Sequence, residues 1–249
     1  MIITLAAMAL GGQSAEAEAD TWDMTNHADH GRVASAAWAS GQALLVRCKD
    51  GRLDVILNGL PPAESRTRRM EMTLGEIGPE TQPWAAAPGS PIASPPEPAR
   101  IARLLADGGE LNLRILTTGE EAGYVLPLPS DGAGVRDVLQ ACNQPLGGEH
   151  DRLPRLAETA TRWAQPPVAV LPPRFGKFRF VEAESRLGCL IDADGRLSSC
   201  WVEGETPPGR GVGPAAVAST MTARFEIPED GKTGFRIVRF GYKSKASFH

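Results

Sequence analysis

The sequence predicts a β-rich α+β protein of two small domains. Glycine and proline are plentiful, 27 and 21 of 249 residues, while stretches with helical spacing are few, a balance that favours short strands and turns over a bundle. The length suits two ordinary domains, each with its own core. The four cysteines fall in pairs, Cys48 with Cys142 in the first half and Cys189 with Cys200 in the second. The expected arrangement is a β-rich N-terminal domain with one or two helices, followed by a small strand–strand–helix–strand domain.

The chain opens on an apolar run, Ile2 to Leu10, followed by Ala15, Glu16 and Ala17. This A-x-A pattern reads as an export signal over residues 1–17, cleaved after Ala17, although no Lys or Arg precedes the run. Spanning ~30 Å of hydrocarbon takes ~20 apolar residues, so no membrane anchor is expected. No C-x-x-C is present and the cysteine spacings match no zinc site. In an oxidising compartment they read as one disulfide per domain, and the expected location is the periplasm.

The first domain is placed at residues 20–146. Trp22 to Asp29 and Val33 to Trp38 read as strands, and Leu44 to Leu57 as a hairpin whose Asp50 and Gly51 supply the positive φ angles of a two-residue turn. Pairing outward sets Cys48 opposite Leu53, Val46 opposite Val55 and Leu44 opposite Leu57, so the apolar residues share one core-facing side with Cys48. Met70 to Leu74 adds a strand, giving about five. Pro79 to Pro98 holds seven prolines around Trp84, which predicts an exposed loop rather than a central strand. Ala99 to Ala106 has helical spacing, with Ile101, Leu104 and Leu105 on one face and Gly108-Gly109 as the stop. Leu111 to Ile115 and Tyr124 to Leu128 continue the sheet. Val135 to Cys142 reads as a helix whose Val135, Val138, Leu139 and Cys142 form one apolar stripe, which brings Cys142 to the core as Cys48 is.

Residues 147–173 read as a linker, with a short helix from Asp151 to Trp163 and a proline-stiffened stretch from Pro166 to Pro173. The second domain is placed at residues 174–245. Arg186 to Asp192 and Leu197 to Glu203 flank Asp194-Gly195; a two-residue turn sets Cys189 opposite Cys200, and a one-residue bulge moves the pairing to Ser199. A helix follows from Pro214 through Arg224, with Ala216, Val217, Met221 and Ala223 toward the sheet, and Phe235 to Phe240 is the last strand.

Net charge is −4 and no long basic run occurs, which disfavours a nucleic-acid partner. No G-x-S-x-G, H-E-x-x-H, Walker or dinucleotide motif is present, so no catalytic residue, cofactor or metal ligand is assigned and an enzyme is not expected. His27 and His30 lie near Asp23 and Asp29, but a three-residue offset on a strand separates their rings. Asp192 and Asp194 read as turn residues rather than a calcium loop. Glu182, Glu184, Glu203 and Glu205 read as a solvated sheet face, and Trp38, Trp84, Trp163 and Trp201 as core more than binding surface.

The stretch GCLIDADGRLSSCWVEGETPPGRGVGPAAV, with its flanks from Phe178 to Tyr242, resembles the C-terminal domain of TonB-family proteins in a cysteine-containing variant. The resemblance implies a two-layer ββαβ fold whose last strand, Phe235, Arg236, Ile237, Val238, Arg239 and Phe240, adds an extended peptide from a partner. The membrane helix and long proline-rich arm of energy transducers are not seen. More weakly, LLVRC at Leu44 to Cys48, Trp84, the ARIARLL helix and Leu139 to Cys142 resemble VasI-like accessory proteins of type VI secretion. The expected function is a non-enzymatic periplasmic adaptor of the cell envelope that engages an outer-membrane or secretion-system protein. The alternative is an envelope enzyme or enzyme inhibitor with its site between the domains, near Trp84 and the proline loop.

Overall fold

A computed structural model describes residues 21–116, 122–148, 150–153, 162–172, 182–226 and 234–243, the last stretch and Glu182 by backbone alone. The expected export signal at residues 1–17 and the expected first element of the second domain near Phe178 lie outside the described residues.

Nine strands form one antiparallel sheet: β1 (Asp23–His27), β2 (Gly31–Ala37), β3 (Ala43–Lys49), β4 (Arg52–Asn58), β5 (Thr67–Leu74), β6 (Ile77–Ala86), β7 (Ala93–Ser94), β8 (Glu110–Ile115) and β9 (Ala122–Pro127). Their spatial order is β1-β2-β3-β4-β7-β6-β5-β8-β9. The ends of the sheet approach one another, because Thr21 bridges to Asp131 just beyond β9 and the Trp38 indole N–H donates to the Pro127 carbonyl at 2.9 Å. Two helices, α1 (Pro98–Ala106) and α2 (Ala133–Ala141), share a single core with the sheet.

The β3–β4 hairpin follows from its turn. Asp50 and Gly51 take φ values of 51° and 76°, and the register sets Cys48 opposite Leu53, Val46 opposite Val55 and Leu44 opposite Leu57 as expected. All six are buried. The α2 stripe of Val135, Val138 and Leu139 is buried on the same core, and Cys142 at the helix end bonds Cys48 with 5.5 Å between Cα atoms.

The proline-rich stretch departs from expectation. Residues 77–86 are a strand within the sheet and 93–94 another, and Trp84 is fully buried. Two features permit it. Pro79 and Pro83 are an even number of residues apart, so their nitrogens face the same side of β6. Over Ile77 to Trp84 β6 is paired, among the described strands, only on the β5 side, since β7 covers Ala85 and Ala86 alone, and the missing donors therefore fall where no described ladder needs them.

A second, three-stranded antiparallel sheet has the order β12-β11-β14, built from β11 (Glu182–Ile191), β12 (Leu197–Thr206) and β14 (Gly234–Lys243). Helix α3 (Val212–Thr220) packs on β11 and β12 through Val212, Ala215 and Ala216 against Ala183, Leu187 and Cys189. It begins two residues before Pro214, which sits comfortably in the first turn, and it ends at Thr220; Met221, expected to pack, is 81% exposed. The β11–β12 turn holds three residues rather than two, with Asp192 N–H donating to the Arg196 carbonyl at 2.9 Å and Gly195 at φ 80°. A bulge then corrects the slip. Pairing passes from Leu190↔Ser198 to Gly188↔Trp201, the extra residue being absorbed where Ser199 takes φ 45°, so Cys200 still reaches Cys189 and the disulfide forms. In the described part of the expected linker helix, Trp163 lies instead in a strand, β10 (Trp163–Gln165), paired with β13 (Arg224–Phe225). Its ring stacks on Phe225, its cross-strand partner, at 4.0 Å. Residues 154–161 lie outside the described residues.

Candidate functional site

Helix α1 places two arginines where the two sheets meet. Its spacing puts Ile101, Leu104 and Leu105 into the first core, as the sequence indicates, yet every one of its nine residues is buried. The face opposite the core is covered by β12 and the 150–153 turn rather than by water. Arg100 and Arg103 project from that covered face and must find partners there, because a desolvated charge is tolerated only when paired and hydrogen-bonded.

The partners come from four separate segments. Arg100 donates Nη1 and Nη2 to the two carboxylate oxygens of Glu80 on β6, each at 2.8 Å, and Nε to the Asp151 carbonyl at 2.9 Å. Its Nη1 also lies 3.4 Å from Glu97 at the helix N-cap. Arg103 donates Nε and Nη2 to the Asp151 carboxylate, both at 2.7 Å, and Nη2 to Glu203 on β12 at 3.1 Å. Gln82 Nε2 donates to Glu80 at 2.9 Å. Such fork geometry is the strong form of the charge-assisted hydrogen bond. Burial by itself pulls both guanidinium pKa values down, but hydrogen bonds and charges from Glu80 for Arg100, and from Asp151 and Glu203 for Arg103, outweigh it and leave both raised. Both arginines stay charged.

Trp201 completes the junction. Its indole lies over Gly188, where an added Cβ would fall 2.5 Å from the ring, donates Nε1–H to Glu203 and stacks on His150 with ring centroids 4.6 Å apart. Arg186 on β11 donates to the Pro96 carbonyl, just before α1. Glu203 Oε2, by contrast, is buried with no hydrogen-bond partner among the described residues.

Beside this junction the two sheets leave a cleft of about 770 Å³. It is walled by the β3–β4 turn at Asp50 to Leu53, by Cys142 to Pro145 after α2, and by β11, β12 and the loop to Gly209. Glu205 shapes that loop by accepting backbone N–H bonds from Gly209 and Gly213.

Several sequence expectations are relocated by these positions. Glu203 is 2% exposed, and Glu205 is half-buried and holds a loop, so neither belongs to a solvated face; Glu184 is exposed. Trp84 lies in the first core and does not line the cleft. His27 and His30 flank the β1–β2 turn with ring centroids 6.2 Å apart, because the turn folds back between them where a continuous strand would have parted them. Among the described residues no group of three His, Cys, Asp or Glu side chains has a metal-holding arrangement. No described helix is long and apolar enough to cross a membrane. Residues Phe235 to Phe240 lie in β14, whose backbone pairs with β11 from Glu182↔Lys243 to Ile191↔Gly234; among the described strands nothing pairs with its other side.

Sequence reasoning missed the ionic junction. The two arginines three apart on one helix, with Glu97 three before Arg100, were the signal available. The remaining partners stand 20, 48 and 100 residues away, and no local pattern joins them. No family model matches the chain, and no curated protein matches it. Among solved structures, the solution NMR structure of the Pseudomonas aeruginosa TonB CTD is similar over 39% of this chain and 98% of that one, at 19% identity and a TM-score of 0.29.

Proposed function

We propose that the protein is a non-enzymatic binding or adaptor protein of the cell envelope, acting outside the cytoplasm, and that β14 receives an extended segment of a partner as an additional strand. The supporting observation is the edge itself: ten residues of β14 are paired with β11 on one side and with no described strand on the other. An open edge of that length offers a row of N–H and C=O groups and is the template that strand addition uses. The order of β11, β12, α3 and β14 agrees with the TonB C-terminal resemblance read from residues 178–242, and with the ββαβ fold which that resemblance implies. Two disulfides favour an oxidising compartment. On this reading the partner is an outer-membrane or secretion-system protein.

Photo-crosslinking tests it. A photoreactive residue at Phe235 should capture a partner in intact cells, and proline should be placed at Ile237 and, separately, at Val238. Successive N–H groups of a strand point to opposite sides, so one of these prolines breaks the β11 ladder and the other removes a donor from the open edge. The variant that keeps the parental melting temperature should lose capture. Undiminished capture by that folded variant would rule out strand addition.

A further inference from the structure

Two bulges in β12 decide which of its side chains face α1. Leu190 pairs with Ser198 and Gly188 with Trp201, so Ser199 and Cys200 stand together against Cys189. Further along, Leu187 pairs with Val202 and Arg186 with Gly204, which leaves Glu203 as the second extra residue. Bulges re-aim side chains, and here they set Trp201 over Gly188 and Glu203 against Arg103 at 3.1 Å. The first bulge is built from a residue that resists it. Ser199 takes φ 45°, a left-handed conformation that glycine adopts freely and that crowds the Cβ of other residues. Ser199 is exposed, so packing does not impose that conformation. The covalent link one residue on does: Cys200 is bonded to Cys189 with 4.1 Å between Cα atoms. Without the bulge Ser199 would take the place opposite Cys189 and Cys200 would turn to the other face, where no bond to Cys189 can form.

We infer that Cys189–Cys200 is a redox latch: a dithiol reductant opens it, the bulge at Ser199 collapses, and Trp201 and Glu203 leave the junction with α1. Cys200 is half-buried, whereas Cys189 and both cysteines of the first disulfide are buried, so an attacking thiolate reaches Cys200 first. It forms a mixed disulfide with Cys200 Sγ as the Sγ–Sγ bond breaks and Cys189 leaves as thiolate; the second thiol of the reductant then displaces Cys200. The two cysteines take up two electrons and two protons, and the reductant ends as a disulfide. Ser199 relaxes out of the left-handed region, and the one-residue slip exchanges the faces of β12 beyond it, which takes Trp201 off Gly188. Oxidation rebuilds the bulge and the junction with it. The latch acts at Trp201, so it stands or falls apart from the strand-accepting edge.

Native reduction of the full chain with dithiothreitol, followed by alkylation and peptide mass measurement, tests the opening step. Cys189 and Cys200 should become alkylated about tenfold faster than Cys48 and Cys142, because exchange follows access to the sulfur; equal rates would overturn the inference. The conformational step is read in Cys189→Ala/Cys200→Ala, which keeps the Cys48–Cys142 bond. Its tryptophan emission should move to longer wavelength than the parent's, and the shift should vanish when Trp201→Phe is carried by both chains. Adding Ser199→Gly should reverse most of the shift, since glycine holds the left-handed bulge without a covalent link, while Ser199→Gly alone should leave the parent's emission unchanged. A crosslink that only adds stability would give no such rescue. Unchanged emission on loss of the disulfide, or a shift that Ser199→Gly does not reverse, including one that comes from unfolding of the second sheet, would each overturn the latch.

Discussion

Arg103 grips Asp151 through two parallel hydrogen bonds of 2.7 Å, across 48 residues of chain, with both side chains buried. The same guanidinium reaches Glu203 on β12, so one side chain ties helix α1 of the first core, the turn after residue 148 and the second sheet together.

Removing that guanidinium should cost far more than a surface pair would. Arg103→Met leaves the Asp151 and Glu203 carboxylates buried without their cation, a loss of about 3–5 kcal/mol. Arg103→Lys keeps the charge but not the fork and should lose less. Urea denaturation of the two variants checks the order; equal stability of parent and Arg103→Met would show the junction to be open to solvent.

Gly188→Ala tests the seat of Trp201. The added methyl would sit 2.5 Å from the indole, so the ring must leave its stack on His150 and its bond to Glu203, an overpacking cost of about 1–3 kcal/mol. A changed tryptophan emission spectrum together with a lower denaturation midpoint is expected. An unaltered spectrum would show that the ring has room elsewhere.

Trp84→Ala should destabilise by about 3–5 kcal/mol, the usual cost of emptying a large aromatic site, because Trp84 is fully buried between the sheet and the helices. Were the proline-rich stretch an exposed loop, the same change would be nearly neutral. Chemical denaturation separates the two by several kcal/mol.

The two disulfides should contribute unequally. Cys48–Cys142 closes a separation of 94 residues and Cys189–Cys200 one of 11, which chain entropy values at about 4.7 and about 3 kcal/mol. Paired Cys→Ala variants compared by denaturation should reproduce that order. Intact mass before and after reduction should show four hydrogens gained and no alkylation of the unreduced native chain.

Tyr124 should ionise late on alkaline titration. Burial pushes its phenol pKa up, opposed by the Arg68 charge, and burial likewise lowers Arg68 against the pull of Tyr124. A folded pKa raised above the unfolded one contributes stability that is fully present below the unfolded value and is lost as pH rises through the folded value. Absorbance of the phenolate in a Tyr242→Phe background isolates Tyr124; a midpoint at or below the ordinary tyrosine value would contradict the burial.

Much of the fold was legible because its causes are local. Asp50-Gly51 dictates a two-residue turn, and with the turn come the register and the common face of Leu44, Val46 and Cys48. The stripe of Val135, Val138 and Leu139 fixes the buried face of α2 in the same way. Proline's lack of a donor was a sound local fact that misled, since whether a strand interior tolerates Pro79 and Pro83 depends on which neighbour reaches that side, and β7 does so only at its end.

By itself, then, the sequence determined the strands that alternate, the helices that carry a stripe, the turns that need positive φ and the pairing of four cysteines, because each is settled within a few residues or, for the cysteines, by the half of the chain they share and the face they present. Only the tertiary structure decided that the charged face of ARIARLL is covered and that Glu203 lies beneath a cleft wall. The same holds for β14, whose outer side pairs with no described strand. Desolvation and edge exposure are properties of what packs against a residue, and here the partners of the two arginines lie 20 to 100 residues away, beyond any periodicity or propensity that the local chain can carry.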